Sequence, residues 1–438
     1  MIAIVGGGIA GLAAARRLRA NGREVTVYEA GGDEALGGLA RTYPTAGDDV
    51  EQFYHHLSKS EEEIVALAEE LGVGDRLEWL VGKNAYYVDG VVHPLDTPWQ
   101  ILAYPHMSVY DKFRLGMLTL EVDVRGGVPS FDTYDDLADF EDVPIREFLL
   151  DHTTRGVYEN FFEPLLDAKF GSRKDDVSAA WLLGRIKFRG ERDLLRGEVL
   201  GYFDGGFAPL IDALVDDVGR EHIETNARVT GLDVDDGAVS SVTVAQDGAE
   251  RTEAVDGVVV ATMPNVLEEL TGYACDVDFQ GAVCAVVTMD EPLTDTYWLN
   301  VAHDAPFGAL IEHTNFVPPE RYGGDHLLYV ASYVQSDDEW LATADDDAVE
   351  DRWLGHVADM FPDFDRDDVS QFRVARAPRA APIYERGYLD LVVPYDLADE
   401  VADGVYYAGM ASAAQYPERS LNGGVVAGRE CADRIVGN

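Results

Sequence analysis

The feature that most constrains this chain is a glycine-rich turn at residues 6–11, placed between short segments near the N-terminus. Ile2–Val5 is a continuous apolar run typical of a buried strand, and residues 12–21 have the composition of a helix. Residues 24–28 indicate a second strand, which ends at Glu29. Strand, tight turn, helix and strand in this order form a βαβ unit, so we predict an α/β fold with a parallel sheet.

The turn has the spacing G-x-G-x-x-G, and each glycine in it has a physical reason. Gly6 permits the tight turn, Gly8 lets the backbone approach a pyrophosphate, and Gly11 lets the helix pack closely on the strand. The unpaired N–H groups of the helix N-terminus favour an anion, and Glu29 is placed to accept hydrogen bonds from a ribose. The pattern predicts a dinucleotide site formed by Gly6, Gly8, Ile9, Ala10, Gly11, Glu29 and Ala30.

The next segment reads Gly37-Gly-Leu-Ala-Arg-Thr, and it resembles the GG-x-x-R(S/T) segment of the FAD-dependent amine-oxidase superfamily. That group includes monoamine oxidases, protoporphyrinogen oxidases, phytoene desaturases and UDP-galactopyranose mutase. The resemblance implies that the cofactor is FAD and that this segment wraps its diphosphate and ribityl chain. The residues it assigns to the cofactor are Gly37, Gly38, Leu39, Ala40 and Arg41.

Later parts of the chain extend the resemblance. Residues 226–229 match the strand whose valine contacts adenine in relatives, and residues 257–262 match the strand that lies under the dinucleotide. Residues 404–410 and 419–425 match the last FAD motif, in which a helix N-terminus points at the flavin and would stabilise its anionic reduced form. The cofactor contacts implied by these segments are Val229, Ala261, Thr262, Gly409, Met410, Leu421, Asn422, Gly423 and Val425.

The expected architecture is α/β, a Rossmann-like FAD-binding domain with an inserted α+β substrate-binding domain. We assign residues 1–60, 197–265 and 385–438 to a discontinuous FAD-binding domain. Residues 61–196 are expected to form a largely helical insertion. Residues 266–384 are expected to form a substrate domain with a mixed or antiparallel sheet.

Candidate catalytic residues come from segments that pass near the flavin in relatives. His55 and His56 are adjacent, so on a strand at most one of them faces the ring. Lys169 is a third candidate, because some amine oxidases place a lysine near flavin N5; the alternative is a solvated lysine at a helix end. Two acid-free windows, 177–190 and 370–384, contain arginines that suggest an anionic substrate group, unless they pair with surface acids. The substrate candidates are Arg185, Arg376, Tyr384 and Arg419.

The charge balance limits the partners. The chain carries 81 acidic against 34 basic residues, a net charge of −47, which disfavours nucleic acid and anionic membranes, although an apolar patch could still dock on a membrane. A folded, Asp-rich and Lys-poor chain of this kind is typical of a halophile. The three cysteines form no CxxC pair, so we expect neither a metal site nor disulfides and a cytoplasmic location. No apolar run is long enough for a transmembrane helix.

The predicted function is an FAD-dependent oxidoreductase of the protoporphyrinogen-oxidase or amine-oxidase type, which transfers hydride from a small organic substrate to flavin N5. Three alternatives stay open at this point. One is a flavin-dependent UDP-sugar mutase without net redox change, and another is a carotenoid or isoprenoid desaturase. The last is a non-catalytic protein like the Rab GDP-dissociation inhibitors, against which Glu29, Gly37, Gly38 and Arg41 argue.

Overall fold

A computed structural model describes residues 1–119, 137–188, 192–193, 196–302, 305–335 and 339–437. The parts of the expected helical insertion at 120–136, 189–191 and 194–195 therefore lie outside the described residues. Within the described ranges the strands are β1 (Ile2–Val5), β2 (Val25–Tyr28), β3 (Thr42–Tyr43), β4 (Val50–Glu51), β5 (Leu77–Gly82), β6 (Asn84–Val88), β7 (Val91–Pro94), β8 (Arg192–Asp193), β9 (Gly197–Phe203), β10 (Ile223–Glu224), β11 (Ala227–Asp235), β12 (Ala238–Gln246), β13 (Ala249–Ala254), β14 (Gly257–Val260), β15 (Phe279–Met289), β16 (Trp298–Val301), β17 (Ala309–Glu312), β18 (His326–Val334), β19 (Val369–Pro382) and β20 (Val405–Tyr407).

The helices of the same ranges are α1 (Ile9–Ala20), α2 (Glu62–Glu70), α3 (Pro98–Ala103), α4 (Val109–Thr119), α5 (Ile145–His152), α6 (Arg155–Val157), α7 (Glu163–Phe170), α8 (Ala179–Phe188), α9 (Ala208–Val218), α10 (Pro264–Thr271), α11 (Glu339–Thr343), α12 (Asp346–Met360), α13 (Tyr388–Leu391) and α14 (Leu421–Gly437). None of the described helices is both long and apolar enough to cross a membrane.

A five-stranded parallel sheet, in the order β10-β2-β1-β14-β20, forms one half of the molecule. All four residues of β1 and all four of β14 are buried, as expected for strands that helices cover on both faces. Helix α1 connects β1 to β2, which completes the predicted βαβ unit. The Rossmann-like part of the predicted fold class is confirmed.

Helices α1 and α14 pack against each other beside this sheet. The packing is close because Gly428 of α14 lies on the backbone of α1: a Cβ at Gly428 would be 2.2 Å from the Ala10 carbonyl oxygen. Small residues on α1 allow this approach, and Ala13, Ala14 and Ala15 are all buried. The contact brings the N-terminal ends of the two helices together.

A mixed seven-stranded sheet, in the order β19-β15-β18-β17-β16-β6-β7, forms the other half. Helix α12 packs on one side of it through Val349, Trp353 and Val357. The α+β character expected for the substrate side is therefore present. Two strands of this sheet, β6 and β7, come from residues 61–196, and β5 from the same segment pairs with β9. The expectation of a largely helical 61–196 did not anticipate these strands.

Candidate cofactor and substrate site

The turn at residues 6–11 has the geometry that its glycines predict. Gly6 has a φ of +106°, and a Cβ there would meet the Ala261 carbonyl oxygen at 2.8 Å. A Cβ at Gly11 would be 2.0 Å from the Gly6 carbonyl oxygen. Gly8 is the N-cap of α1, has ordinary extended backbone angles and makes no side-chain cap. The first turn of α1 contains no acidic residue, so the positive end of the helix faces the site without a competing anion.

Glu29 follows β2 and is held by backbone N–H groups on both sides. Its carboxylate accepts hydrogen bonds from Gly7 N and Gly31 N, each at 2.8 Å. It lines a cleft of about 210 Å³ at the carboxyl ends of β1 and β2. Because a carboxylate has further lone pairs, Glu29 can still accept from ribose hydroxyls. The predicted cofactor residues that this cleft brings together are Gly6, Glu29, Ala30, Val229 and Thr262.

The pair Gly37 and Gly38 packs against the glycine turn at residues 6–11. Gly37 and Gly38 both have positive φ angles, +87° and +65°, and Gly37 N donates to the Gly7 carbonyl at 2.9 Å. A Cβ at Gly38 would be 3.2 Å from the Cα of Gly8. Leu39 and Ala40 continue in a single 3-10 turn, and Arg41 Nε donates to Gln52 at 2.7 Å. The two turns thus form a continuous glycine-lined backbone surface on which a diphosphate can lie.

The carboxyl ends of β14 and β20 supply the third part of the surface. Ala261 N donates to the Val5 carbonyl at 2.9 Å, which places Ala261 and Thr262 beside the first turn. Gly409 follows β20, and a Cβ there would be 2.0 Å from the Thr262 carbonyl oxygen. Met410 is next to it and half-buried. Only a glycine at position 409 allows these two strand ends to meet.

The N-terminus of α14 is the fourth part. Ser420 Oγ accepts from Gly423 N at 2.9 Å, and Leu421 and Asn422 lie in the first turn. Asn422 Oδ1 accepts from Ile64 N at 2.9 Å, so this side chain also caps α2. Gly423 and Val425 are buried. A Cβ at Gly424 would be 3.7 Å from Ala10 N, so the N-termini of α1 and α14 open on the same space.

A cluster of ionisable side chains lies where the two halves of the molecule meet. Lys169, in the last turn of α7, forms an ion pair with Glu418, and both side chains are nearly enclosed, 13% and 10% exposed. Lys169 Nζ also stands 4.8 Å from the ring centre of Trp181. Burial lowers the pKa of Lys169, and the Glu418 carboxylate opposes that shift. Lys169 is therefore a buried member of an ion pair and not a solvated lysine at a helix end.

Arg419 and Tyr333 complete this cluster. Burial lowers the pKa of Arg419, but the hydroxyls of Tyr333 and Tyr54 outweigh burial and the pKa is raised. Burial raises the pKa of Tyr333, but the cations Lys169 and Arg419 outweigh it and lower the pKa to about 8. Burial raises the pKa of Tyr54 well above its usual value. We call Lys169, Glu418, Arg419, Tyr333 and Tyr54 the charged cluster.

The two adjacent histidines point to different surroundings. His55 Nδ1 lies 2.5 Å from the Phe53 carbonyl oxygen, and burial, with the charge of Arg419, lowers the pKa of His55 to about 4. His56 Nδ1 lies 3.1 Å from the Tyr297 hydroxyl. His55 is thus the histidine associated with the charged cluster, and it is neutral at pH 7.

The other predicted substrate residues are spread out. Arg185 pairs with Glu418 at 2.7 Å from the rim of the cluster and is 41% exposed. Tyr384 lies beside Arg419 and donates to the Gln415 carbonyl at 3.0 Å. Arg376 instead pairs with Asp346 and donates to the Ala344 carbonyl at 2.8 Å, which is the surface pairing considered for these arginines.

Sequence reasoning did not single out Tyr54, Tyr333, Glu418 or Glu51. Tyr54 and Glu418 adjoin residues that were named, so extending those motifs by one position would have found them. Glu51 is fully buried and accepts from Tyr202 Oη and Phe207 N, each at 2.7 Å. Burial raises the pKa of Glu51 to about 7. No local pattern marks Tyr333, because its place in the cluster depends on the pairing of β18.

A Rossmann-like sheet, two facing glycine turns and two convergent helix N-termini define a dinucleotide-binding protein of the flavoprotein type. The sequence profile of the family described as flavin containing amine oxidoreductase matches residues 9–436. The chain therefore belongs to this family of FAD-dependent oxidoreductases, and its cofactor is FAD.

A curated relative agrees with this family assignment. The chain is 26% identical over 270 residues to the Mycobacterium tuberculosis (strain H37Rv) protein named "Putative flavin-containing monoamine oxidase AofH", a match that covers 60% of this chain and 56% of that protein. The chain thus spans about half the length of that curated relative.

The fold is similar to solved structures over nearly its whole length. A "Putative protoporphyrinogen oxidase" from Exiguobacterium sp. 255-15 superposes with a TM-score of 0.78 at 19% identity, covering 99% of this chain and 98% of the other. A reduced UDP-galactopyranose mutase superposes with a TM-score of 0.73 at 16% identity, covering 100% and 95%. Because oxidases and a mutase share this fold, the fold does not select the reaction.

Proposed function

We propose that this protein is an FAD-dependent oxidoreductase that oxidises a small organic molecule at a C–H bond, in the manner of protoporphyrinogen oxidases and amine oxidases. The observation that carries the proposal is the convergence of the four glycine-containing segments with the charged cluster. Residues 41–55 lead from the Arg41 motif to His55, and residues 418–421 lead from Glu418 to α14. In this proposal, one end of each of these two segments would hold the cofactor and the other end would meet a substrate.

The cofactor would lie along the glycine surface. The residues that would hold it are Glu29 at the ribose, the N-terminus of α1 at the diphosphate and the N-terminus of α14 at the flavin. When bound, FAD supplies a two-electron acceptor, and the oxidant that reoxidises it is dioxygen or another acceptor. The positive end of α14 favours negative charge at its N-terminus.

The residues of the charged cluster have distinct parts in this proposal. His55 is neutral at pH 7, because its pKa is about 4, so it is a weak base that can orient a partner through a hydrogen bond. Lys169, held by Glu418 and Trp181, lies beside Tyr333, and its charge lowers the pKa of the Tyr333 hydroxyl. Together with Arg419 this charge favours a substrate with an anionic group.

The test begins with the colour of the protein. We expect protein purified in molar salt to be yellow, with a flavin spectrum that a substrate bleaches without oxygen. Bleaching by an organic C–H donor supports the oxidoreductase, whereas turnover of a UDP-sugar only after reduction by dithionite would contradict it in favour of the mutase. A colourless protein that does not take up FAD would contradict FAD binding and favour the non-catalytic alternative.

We also propose a halophilic source and a cytoplasmic location. The net charge of −47 supports the first, because repulsion between these charges is weakest when salt screens them. The three cysteines are all free, which supports a reducing compartment. An unfolding temperature that rises steeply between low and molar salt would support the halophilic assignment, and one that does not change would refute it.

A further inference from the structure

The large apolar side chains that stay exposed in this protein are concentrated in one part of the chain. Of the nine found among the described residues, Trp79, Val234 and Trp340 are scattered along the sequence. The other six fall within residues 91–113, on β7, α3 and α4. We call them the apolar face: Val91, Trp99, Leu102, Val109, Tyr110 and Phe113.

The elements that carry the apolar face pack on one another. Helix α3 packs on β7 and on α4. Lys112 Nζ donates to the Leu102 carbonyl at 2.7 Å, which ties the first turn of α4 to the end of α3. The rings of Tyr110 and Phe113 lie with their centres 6.5 Å apart. The six side chains therefore adjoin one another on a single surface, so they are not isolated exposed residues.

This surface interrupts the acidic coat of the protein. Residues 91–119 are all described, and none of those that are exposed carries a charge. Their two acidic residues are used internally: Asp96 is buried and accepts from Asn84 N at 2.5 Å, and Asp111 accepts from Ser108 N at 2.9 Å. In a chain with 81 acidic residues, an uncharged surface of this length is unexpected.

The charges decide which partner the face fits. Surfaces that dock on membranes usually carry basic side chains that meet the lipid headgroups. Here Arg114 is buried and Lys112 is tied to a backbone carbonyl, so no base is exposed on the face to offset a net charge of −47. A second copy of the chain fits better, because a two-fold contact places one uncharged face on the other and keeps the carboxylates of the two chains apart.

The face is also large enough for such a contact. Val109 is 82% exposed and Trp99 is 72% exposed, and the other four side chains are more than half exposed. Side chains of these sizes offer on the order of 600 Å² per chain at this exposure, which is at the upper end for a patch on a monomer. Two such faces together bury about 1,200 Å², and a specific interface needs about 1,000 Å².

We propose that the protein forms a two-fold symmetric dimer in which the apolar face of one chain covers the apolar face of a second copy. The inference does not depend on the proposed function, because it uses no residue of the cofactor site or of the charged cluster. Salt screens the repulsion between the two acidic chains and strengthens the burial of apolar surface. The dimer should therefore become tighter as the salt concentration rises.

The experiment measures the mass of the FAD-bound protein by sedimentation equilibrium over a wide range of protein concentration and at several molar salt concentrations. The variants are V109D and V109D/F113D, which place carboxylates on the face. The matched control is V234D, which makes the same change at an exposed valine of β11. Circular dichroism establishes that each variant is folded, and flotation with vesicles of phosphatidylcholine and phosphatidylglycerol tests the lipid alternative.

We expect the unmodified protein and V234D to have twice the mass of the chain. V109D should weaken dimerisation roughly tenfold or more, because each dimer receives the buried carboxylate twice. Aspartate at the first residue of α4 is favourable to a helix, so V109D should fold. V109D/F113D should be a monomer with its flavin spectrum unchanged.

Several results would overturn the proposal. A protein that stays monomeric at every salt concentration has no such interface, and vesicle binding by this monomer that V109D abolishes would assign the face to lipid. A dimer that V109D/F113D does not weaken, or that V234D weakens equally, would use another surface. A mass that keeps rising with concentration would contradict a closed two-fold contact, and a dimer that tightens as salt falls would contradict the charge argument.

Discussion

Replacing Gly8 by alanine should weaken FAD binding and leave the apoprotein as stable as before. Gly8 has a φ of −74° and a ψ of 176°, which alanine adopts without strain. The nearest atom to a Cβ at this position is the Cα of Gly38 at 3.8 Å, an ordinary contact. Alanine also restricts the unfolded chain, so we expect a change of about 0.5 kcal/mol in favour of the folded apoprotein.

The methyl group has a different effect once the cofactor is present. It projects from the N-cap of α1, where the diphosphate must approach the backbone N–H groups. Pushing the diphosphate away loses charge-assisted hydrogen bonds, about 1.5 to 3 kcal/mol, which is roughly a 10- to 100-fold weaker affinity. The assay is a fluorescence titration of apoprotein with FAD, alongside thermal unfolding of the apoprotein.

Two other glycines make the comparison specific. G355A, in α12, places its Cβ in open space, so it should leave FAD affinity unchanged. G11A places its Cβ 2.0 Å from the Gly6 carbonyl oxygen, so it should destabilise the apoprotein as well as weaken FAD binding. The reasoning is refuted if G8A binds FAD as tightly as the unmodified protein, or if G8A destabilises the apoprotein as G11A does.

Three further substitutions test the site and its support. Burial raises the pKa of Glu51 from 4.5 to about 7, so the folded state keeps a proton that the unfolded chain releases, and the free energy of unfolding falls as pH rises between these values. E51Q should remove this fall of about 3 kcal/mol, which unfolding curves recorded at pH 4.5 and 8 would measure. The same fall in E51Q and in the unmodified protein would contradict the role of Glu51. E418Q should lower the free energy of unfolding by about 3 kcal/mol at pH 7, because it leaves Lys169 without its carboxylate. The double variant K169M/E418Q should regain most of that stability, as measured by denaturant unfolding. G428A should lower both the melting temperature and the FAD affinity, because its Cβ would be 2.2 Å from the Ala10 carbonyl oxygen. A change in only one of these two quantities would argue against the packing of α14 on α1.

The cofactor half of the site could be predicted because its requirements are local. Positive φ angles require glycine at positions 6 and 37, and a close contact with the Gly6 carbonyl oxygen requires glycine at position 11. All three positions can be recognised from their spacing in the sequence. The hairpin of β6 and β7 also had a local signal, Asp89-Gly90, whose φ angles are both positive. It was missed because residues 61–196 as a whole were expected to form a largely helical insertion.

The substrate half could not be predicted in the same way, because its pairs are distant in sequence. Lys169 and Glu418 are 249 residues apart, and no spacing indicates that α7 and the start of α14 meet. The same limit applies to the arginines. Arg376 and Arg419 both occur in or near acid-poor stretches, but Arg376 meets Asp346 from α12, whereas Arg419 meets tyrosines from β18 and from the segment after β4.

The arrangement of these segments implies that cofactor and substrate affinities depend on each other. Arg419 is separated from the first turn of α14 by Ser420 alone, and Tyr54 follows the strand that Gln52 and Arg41 tie to the second glycine pair. A cofactor that orders the N-terminus of α14 would also fix Arg419, so less conformational entropy would be lost when a substrate binds beside the charged cluster. By linkage, a substrate bound there would strengthen FAD binding by the same factor. Measuring FAD affinity with and without an unreactive analogue of a substrate that bleaches the flavin tests this coupling, and a factor of one would show that the cofactor and substrate sites act independently.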